Sequence, residues 1–185
     1  ACRPRGIAHF VGRIYGAQWR HWRTTDGKEI DQIKNLIQGL KDHPDWRRHM
    51  VTAWNPEDVD KVFVAPCHGI FKCFAVDGEL SLHLFQRSAD VFLGVPYNIA
   101  SYSLLLLMIA QVTGLKPKEL IHTMSDVHIY NNHFEQAREQ LKREPKALPK
   151  MKLNPNIKNI FDFKFEDFIL TDYNADPNIK AEVAI

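Results

Sequence analysis

Alternating apolar and polar residues in the middle of the chain predict a β-hairpin. Apolar runs at 62–65 and 70–76 predict a strand that continues past Cys67, and Asp77-Gly78 is a strong hairpin turn. Leucines then occupy every second position from 80 to 84, which predicts a second, half-buried strand. This hairpin is the clearest β signal in the sequence.

Helical spacing of apolar residues predicts three helices. The first covers 30–40 and is closed by Pro44, the second covers 99–112 and stops at Gly114, and the third is amphipathic and covers 134–141. Further extended segments are expected at 50–54, at 129, near 153, at 163–165 and at 168–170. Together these elements predict an α+β fold with a largely antiparallel or mixed sheet, and residues 1–185 form one domain.

Composition excludes wholesale disorder and gives no charge argument for a polyanionic partner. Of the 185 residues, 45% are apolar and 25% are charged, which is the usual globular mix. The net charge of +2 supports neither nucleic acid nor an acidic membrane as a partner. The longest apolar run, 104–110, is too short to cross a bilayer. We therefore expect no nucleic acid and no membrane among the partners.

The three cysteines, Cys2, Cys67 and Cys73, do not form a disulfide framework. Cys67 and Cys73 lie six positions apart on the predicted strand, which would separate their Cα atoms by about 20 Å. We expect Cys73 to be a small buried hydrophobic residue. Reduced thiols indicate an intracellular, cytoplasmic protein.

Pro66-Cys67-His68 is a candidate nucleophilic centre. The thiolate is the reactive form of cysteine, and a nearby cation raises its fraction. Cys67 stands ten residues before Asp77 and Arg87 nine residues after Gly78, so the hairpin should bring Arg87 close to Cys67. The alternative is that Cys67 is only a small buried residue, as many cysteines are.

Polar residues beyond the hairpin offer ligand contacts. Arg87 and Ser88 suit an oxyanion such as phosphate, although a solvated loop would also carry them. Asn98 is either a reader of a base edge or a helix N-cap. Three alternate residues would share one face if their segment is extended: Asp126, His128 and Tyr130. The sequence contains no Walker loop, GxGxxG, HExxH or CxxC motif, so it supports none of these nucleotide and metal classes.

Seven strings of residues carry a family resemblance. They are 15–20, 47–48, 65–68, 86–96, 98–102, 128–130 and 160–163. Together they resemble thymidylate synthase, and the similarity runs from about residue 12 to residue 185. The resemblance implies an α+β fold with a mixed sheet flanked by helices, and a homodimer that packs through this sheet.

The resemblance also implies reductive methylation of dUMP to dTMP. The co-substrate 5,10-methylenetetrahydrofolate would supply the one-carbon unit and the hydride, and no metal would take part. Cys67 would add to carbon 6 of the uracil ring, which makes carbon 5 a nucleophile toward the folate methylene. Tyr15 and His68 would belong to the polar network around carbon 5 and the 4-oxo group. Arg87 would favour the thiolate, and Asn98 would pair with the 3-NH and 4-oxo groups.

Binding roles follow from the same resemblance. The implied dUMP contacts are Arg87, Ser88 and the neighbouring Gln86, together with Asn98. His128 and Tyr130 would contact the 3′-hydroxyl. Arg47 and Arg48 would reach the phosphate bound by the partner subunit. The implied folate contacts are Asp90, Gly94 and Ala184. Asp90 would orient the pterin and is also an implied contact of dUMP. The tail 181–185 would close over the ligands and exclude water.

The chain departs from the family pattern at several points. The family carries a further segment of about 80 residues before residue 12, far more than a frayed terminus, with a catalytic Glu and a mobile phosphate-loop Arg. Arg13, Lys72 and Glu182 replace the usual Pro, Gln and Pro, and Met124-Ser125 replaces a pair that contains Gly. Two alternatives stay open: hydroxymethylation of a pyrimidine deoxynucleotide, and a truncated chain that binds dUMP without turnover.

Overall fold

A mixed four-stranded sheet forms the centre of the molecule, whose computed structural model describes residues 11–184. The predicted α+β architecture is confirmed. The helices are α1 (Tyr15–Arg20), α2 (Gln32–Asp42), α3 (Gly94–Thr113) and α4 (Phe134–Leu141), and the strands are β1 (Trp22–Arg23), β2 (Glu29–Ile30), β3 (Met50–Thr52), β4 (Ile70–Val76), β5 (Glu79–Asp90), β6 (Lys116–His128), β7 (Lys150–Leu153) and β8 (Phe168–Thr171). Short 3₁₀ turns cover Val59–Lys61, Asn131–His133, Ile160–Asp162 and Phe165–Asp167. Cys2 and Ile185 lie outside the described residues.

The strand order in the central sheet is β3-β4-β5-β6. Neighbours are antiparallel except for β5 and β6, which are parallel. The predicted hairpin is present, with Ile70 paired to Phe85 and with Asp77 and Gly78 at φ of 53° and 77°. Positive φ at both central positions belongs to the type I′ turn, whose twist matches that of the flanking strands. Because β5 and β6 are parallel, α3 returns the chain from one end of the sheet to the other.

Two strand predictions are wrong, one just before the hairpin and one near the C-terminal end of the chain. Residues 62–69 form bends and irregular backbone, so Cys67 lies in a loop before β4. Pro66 contributes to this break, because proline has no N–H to donate to a ladder. Residues 163–165 are not a strand either, since the chain passes there from one 3₁₀ turn to the next. In β5 the alternating leucines are buried as predicted, but Ser81 is buried too, where the register against β6 shifts.

Most of β6 is missed by the sequence analysis, which predicts only an extended segment near its end. The strand begins at Lys116-Pro117-Lys118-Glu119, a polar start that contains a proline. Such residues are typical of an outer strand, whose free edge needs no ladder donors and benefits from charge. The alternation of apolar residues is therefore weak where β6 begins.

α2 and α3 cover one face of the sheet and form the hydrophobic core with it. The Asp31 side chain accepts the N–H of Lys34 and so caps α2. α3 begins five residues earlier than predicted, because Asp90 Oδ2 accepts the N–H of Gly94 and Pro96 is tolerated in a first turn. Gly114, at φ 75°, ends α3 as predicted.

α3 is long and apolar enough, by length and composition, to cross a membrane, which the run at 104–110 did not indicate. In the fold, however, Ile109 and Ala110 are completely buried, and Tyr102 and Leu106 also belong to the core. Packing against the sheet accounts for these buried side chains, which are part of a helix whose apolar window is 33% buried.

The opposite face of the sheet is open. Met50 on β3 is 53% exposed, Phe85 on β5 is 44% exposed and Val76 at the end of β4 is 57% exposed. These side chains alternate with core residues such as Val51 and Leu84, so they point away from the core. Large apolar side chains on an open sheet face are typical of an interaction surface.

Candidate active site

Most of the predicted site residues meet at one end of the central sheet. The parallel strands β5 and β6 both end there, and the antiparallel β4 begins there. α3 also begins at this end, since only residues 91–93 separate it from β5. Cys67, Arg87, Asn98 and His128 therefore come from four different elements to the same end of the sheet.

Cys67 lies in the loop before β4, and it is only partly covered. Its backbone N–H donates to Tyr15 Oη at 2.9 Å, and its thiol lies 3.8 Å from Ala65 O. Burial is the main cause that raises the pKa of Tyr15, so this hydroxyl stays protonated. Because the Tyr15 oxygen already accepts from Cys67, its proton is free to donate to a ligand.

His68 is held as a neutral imidazole beside Cys67. Its ring stacks on Tyr15, with centroids 3.9 Å apart and planes 5° apart, and its Nδ1 lies 2.7 Å from Tyr102 Oη. Burial, assisted by the nearby His122, lowers the pKa of His68 to about 4. At neutral pH the ring can therefore take part in hydrogen bonds without carrying charge.

Arg87 is fixed by the loop that carries Cys67. Its backbone N–H donates to Cys67 O at 2.8 Å, which confirms the register counted from the hairpin turn. Its guanidinium donates from Nε to Pro66 O at 3.0 Å and from Nη2 to Ala65 O at 2.9 Å. These bonds use two of the five guanidinium N–H groups, so the others can donate to an anion such as phosphate.

Gln86 links the end of β5 to α3 and β6 from a position that is only 2% exposed. Its Nε2 donates to Asn98 Oδ1 at 3.0 Å and to Ser88 O at 2.9 Å, and its Oε1 lies 2.9 Å from His122 Nε2. A second lone pair of Asn98 Oδ1 and both hydrogens of Nδ2 are still available for hydrogen bonds. The amide can therefore pair with the edge of a base that has one donor and one acceptor.

Two structural alternatives from the sequence are wrong. Residues 86–90 are not a solvated loop, because they complete β5. Asn98 is not an N-cap, because α3 begins at Gly94 and the side chain of Asn98 pairs with Gln86 instead.

Asp90 and Gly94 shape the start of α3. Asp90 Oδ1 and Oδ2 accept the N–H groups of Phe92 and Gly94, both at 3.2 Å. A Cβ on Gly94 would meet the Asp90 side chain at 3.5 Å, an ordinary contact, so lack of space does not explain this glycine. The capping of α3 is a role of Asp90 that the sequence analysis did not predict.

His128 and Tyr130 lie beside Asp90 at the end of β6. His128 pairs with Asp90 across the parallel ladder, and its ring meets that of Tyr130 edge-on, with centroids 5.1 Å apart. Its Nδ1 lies 3.4 Å from Asp126 Oδ1. His128 thus lies against both of its alternate neighbours, as expected for an extended segment.

Arg47 and Arg48 lie away from this end of the sheet within one chain. Cys73 N–H donates to His49 O at 2.8 Å, which places this segment six residues along from Cys67. Cys73 is three residues into β4, about 10 Å along the strand from Ile70, where β4 begins at the site end of the sheet. Arg48 packs on the ring of Trp46, 3.7 Å from its centroid.

Ala184 belongs to a tail that runs beside the start of α3. A cavity of about 740 Å³ lies between the tail and the rest of the fold, bordered by Leu93, Tyr97 and Asn132 and by residues 178–182. The tail is attached next to this cavity, where Glu182 O lies 2.7 Å from His133 Nε2.

Comparison with known protein families identifies this arrangement. A family model described as thymidylate synthase matches residues 7–185. The chain belongs to the thymidylate synthase family. Thymidylate synthases are methyltransferases that act on dUMP and take methylenetetrahydrofolate as co-substrate, so this chain has a general role in dUMP methylation. Residues 11–184 contain no group of three or more histidine, cysteine or acidic side chains that could hold a metal ion.

Three residues around the thymidylate synthase site were missed by sequence reasoning. Tyr102 follows Asn98 by four residues, a spacing that puts both on one helix face, so this signal was available. His122 could be found only from the parallel pairing of β6 with β5, which no local pattern reveals. Trp54 packs beside the Arg87 guanidinium, 5.6 Å from it, and follows the short strand β3.

Proposed function

We propose that this chain catalyses the reductive methylation of dUMP to dTMP with 5,10-methylenetetrahydrofolate. The observation that carries the proposal is the position of Cys67. In a member of the thymidylate synthase family, its partly exposed thiol lies in a loop held by Tyr15 on one side and by Arg87 on the other. A nucleophile in this position can form a covalent bond to carbon 6 of the pyrimidine.

Addition of the Cys67 sulfur to carbon 6 pushes electrons toward carbon 5 and the 4-oxo group of the ring. Tyr15 keeps a proton to donate, and the neutral His68 stacks on it, so both can support the developing oxyanion through hydrogen bonds. When bound, methylenetetrahydrofolate supplies the one-carbon unit and the hydride. Loss of the carbon 5 proton and departure of the Cys67 sulfur complete the cycle.

Substrate binding follows from the groups that still have free donors or acceptors. Arg87 and Ser88 would hold the dUMP phosphate, with Gln86 fixing the strand between them and α3. Asn98 would pair with the uracil 3-NH and 4-oxo groups through its free lone pair and amide hydrogens. His128 and Tyr130 would bond the 3′-hydroxyl of the deoxyribose.

The cavity beside the tail suits a folate. Its volume of about 740 Å³ and the exposed ring of Tyr97 provide room and an aromatic wall for a pterin. Asp90 and Gly94 flank Leu93, which borders the cavity, and Ala184 follows the tail residues that line it. These three residues would therefore hold the co-substrate.

A homodimer through the open sheet face is part of the proposal. A second copy would cover Met50, Val76 and Phe85 and an apolar cavity of about 280 Å³ that lies beside Arg87. It would also bring in Arg47 and Arg48, whose segment lies beside Cys73, in the middle of β4, within one chain. Mixing Arg48→Ala subunits with Cys67→Ala subunits should recover activity that neither variant has alone. Without recovery, the arginines do not act across the interface.

The experiment that tests the reaction uses dUMP labelled with deuterium at carbon 5. The chain should release the label and form dTMP and dihydrofolate in equal amounts. A product with one more oxygen than dTMP would instead identify a hydroxymethylase, an alternative that the departure at Glu182 in the tail suggests. Calorimetric binding of dUMP with the label retained would identify a nucleotide-binding chain without turnover.

The free thiols of Cys67 and Cys73 support our further proposal of a cytoplasmic location.

A further inference from the structure

The tail is attached to the fold through a buried histidine that the proposed reaction does not use. His133 has no exposed surface, and its Nε2 lies 2.7 Å from the backbone oxygen of Glu182. Asn132 Nδ2 donates to the same oxygen at 3.4 Å. In the segment before the tail, the contact of Arg143 with Pro177 O is exposed to solvent. Within residues 11–184, the contact from His133 is therefore more shielded from solvent than the one from Asn132.

The chemistry of this contact determines which ring nitrogen carries the proton. A carbonyl oxygen only accepts hydrogen bonds, so Nε2 must be the protonated nitrogen. His133 Nδ1 is buried and has no hydrogen-bond partner within residues 11–184. The Nε2–H group is therefore the donor of this ring in the contact with Glu182 O.

The surroundings of His133 hold the ring in place. It packs against Phe92, with centroids 5.5 Å apart, and against Tyr130, with centroids 6.0 Å apart. Phe92 lies in the turn that Asp90 caps, and Tyr130 is the proposed ribose ligand. One side of the imidazole thus touches the substrate end of the sheet, while its Nε2 holds the tail.

We propose that His133 is a positioning residue that fixes the tail over the site by donating its Nε2–H to Glu182 O. The acceptor is a backbone atom, so the contact does not depend on the side chain at position 182. The significance for turnover rests on the proposed function, but the attachment itself does not. Loss of this donor should free the tail while leaving the sheet and the Cys67 loop in place.

Cleavage by a protease specific for lysine measures tail attachment directly. Lys180 is exposed and lies two residues before Glu182, so cutting the Lys180–Ala181 bond requires the tail to leave its position. The rate is followed by mass spectrometry, and cleavage after Lys28, in an exposed turn remote from the tail, serves as an internal control.

Two variants whose side chains have nearly equal length distinguish the effect of losing the hydrogen-bond donor from the effect of changed packing. In His133→Gln the amide nitrogen can occupy the place of Nε2, whereas His133→Met has no donor. Loss of one buried hydrogen bond should make cleavage after Lys180 about tenfold faster in the Met variant. The Gln variant should stay within about threefold of the unmodified chain, because most of the bond is kept. Wild-type cleavage in the Met variant, or equal acceleration in both, would overturn the proposal. Should the Met variant not fold, His133→Asn, whose amide is too short to reach Glu182 O, replaces it with the same expected acceleration.

The KM values for the two substrates provide a second measurement, which a purely structural role of His133 would not change selectively. His133→Met should raise the KM for methylenetetrahydrofolate several-fold more than the KM for dUMP, and His133→Gln should restore it. Equal changes in both KM values would contradict a role in tail placement. If the unmodified chain forms no dTMP, the proposed function fails, yet the cleavage rates still decide the role of His133.

Discussion

Two cysteines six residues apart show how differently one fold treats the same side chain. Cys73 is on β4, faces the core, has no exposed surface, and burial raises its pKa to about 12. Cys67 is in the loop where β4 has not yet begun, partly exposed, with its N–H on Tyr15 and with Arg87 bound to the carbonyls just before it. The first thiol is inert packing, whereas the second is available to react. The partly exposed thiol thus lies just outside the hydrogen-bonded part of β4, and the buried one lies within it.

The largest expected difference between the two cysteines is in activity. Cys67→Ala should lower kcat for dTMP formation at least about 10³-fold, because it removes the nucleophile. Cys73→Ala should leave kcat within a few-fold of the unmodified chain, because Cys73 is completely buried in the core. Steady-state rates with both variants at matched folded concentration check this, and dUMP binding by the Cys67 variant should persist. Comparable losses of kcat in the two variants would break the comparison.

The second largest difference between the region of Cys67 and that of Cys73 should be in how the free energy of unfolding depends on pH. The folded pKa of His68 is about 4, below the ordinary value of 6.5, so the unfolded chain takes up this proton first. The stability that depends on a neutral His68 is complete above pH 6.5 and is lost as the pH falls toward 4, by about 2–3 kcal/mol. Urea unfolding between pH 7 and pH 4.5 should show a smaller loss for His68→Gln. Cys73→Ala should keep the loss of the unmodified chain, and an equal loss in His68→Gln would refute this account.

A polar atom at the Cys73 position should cost stability without affecting chemistry. Cys73→Ser puts a hydroxyl where burial is complete, and the unfolding free energy should fall by about 2 kcal/mol. Cys67→Ser, in the partly exposed loop, should change it by less than about 0.5 kcal/mol. Urea midpoints of the two variants measure the difference. A larger loss for the Cys67 variant would reverse the assignment of core and site.

The smallest effect concerns the choice of base near Cys67. Asn98→Asp replaces the amide donor with an acceptor, which suits the 4-amino group of cytosine better than the 4-oxo group of uracil. The ratio of kcat/KM for dUMP to that for dCMP should fall about tenfold or more. Gln86 can still donate to the new carboxylate, so the strand-to-helix link is kept. An unchanged ratio would mean that Asn98 does not read the base.

Local patterns predicted the hairpin and the helices α2, α3 and α4, because these depend on neighbours in sequence, whereas the short helix α1 was not predicted. Asp77-Gly78 and the alternating leucines set the register that brings Arg87 to Cys67, and this part of the site followed from counting. Ser88, Asn98, His128 and Tyr130 were candidates from residue type and spacing, and the resemblance to thymidylate synthases supplied their expected roles and further candidates, but not their contacts. The bonds from Arg87 to Ala65 O and Pro66 O appear only in three dimensions.

What the sequence could not predict depends on contacts between distant segments. The parallel pairing of β6 with β5 brings His122 to Gln86, and no local signal reports it. Pro66 interrupts a run of apolar residues that otherwise predicts a strand, so the loop around Cys67 was missed. Asp90 acts as the cap of α3, and this moved the helix start to Gly94.

The central claim, that Cys67 forms the bond to the nucleotide, is tested most directly by mass. A dUMP analogue with fluorine at carbon 5 cannot lose that atom as a proton, so with methylenetetrahydrofolate the reaction should stop at a covalent complex. Intact mass should show one nucleotide bound per chain, and peptide mapping should place it on Cys67. No adduct on folded chain that turns over dUMP, or an adduct on Cys73, would contradict the account.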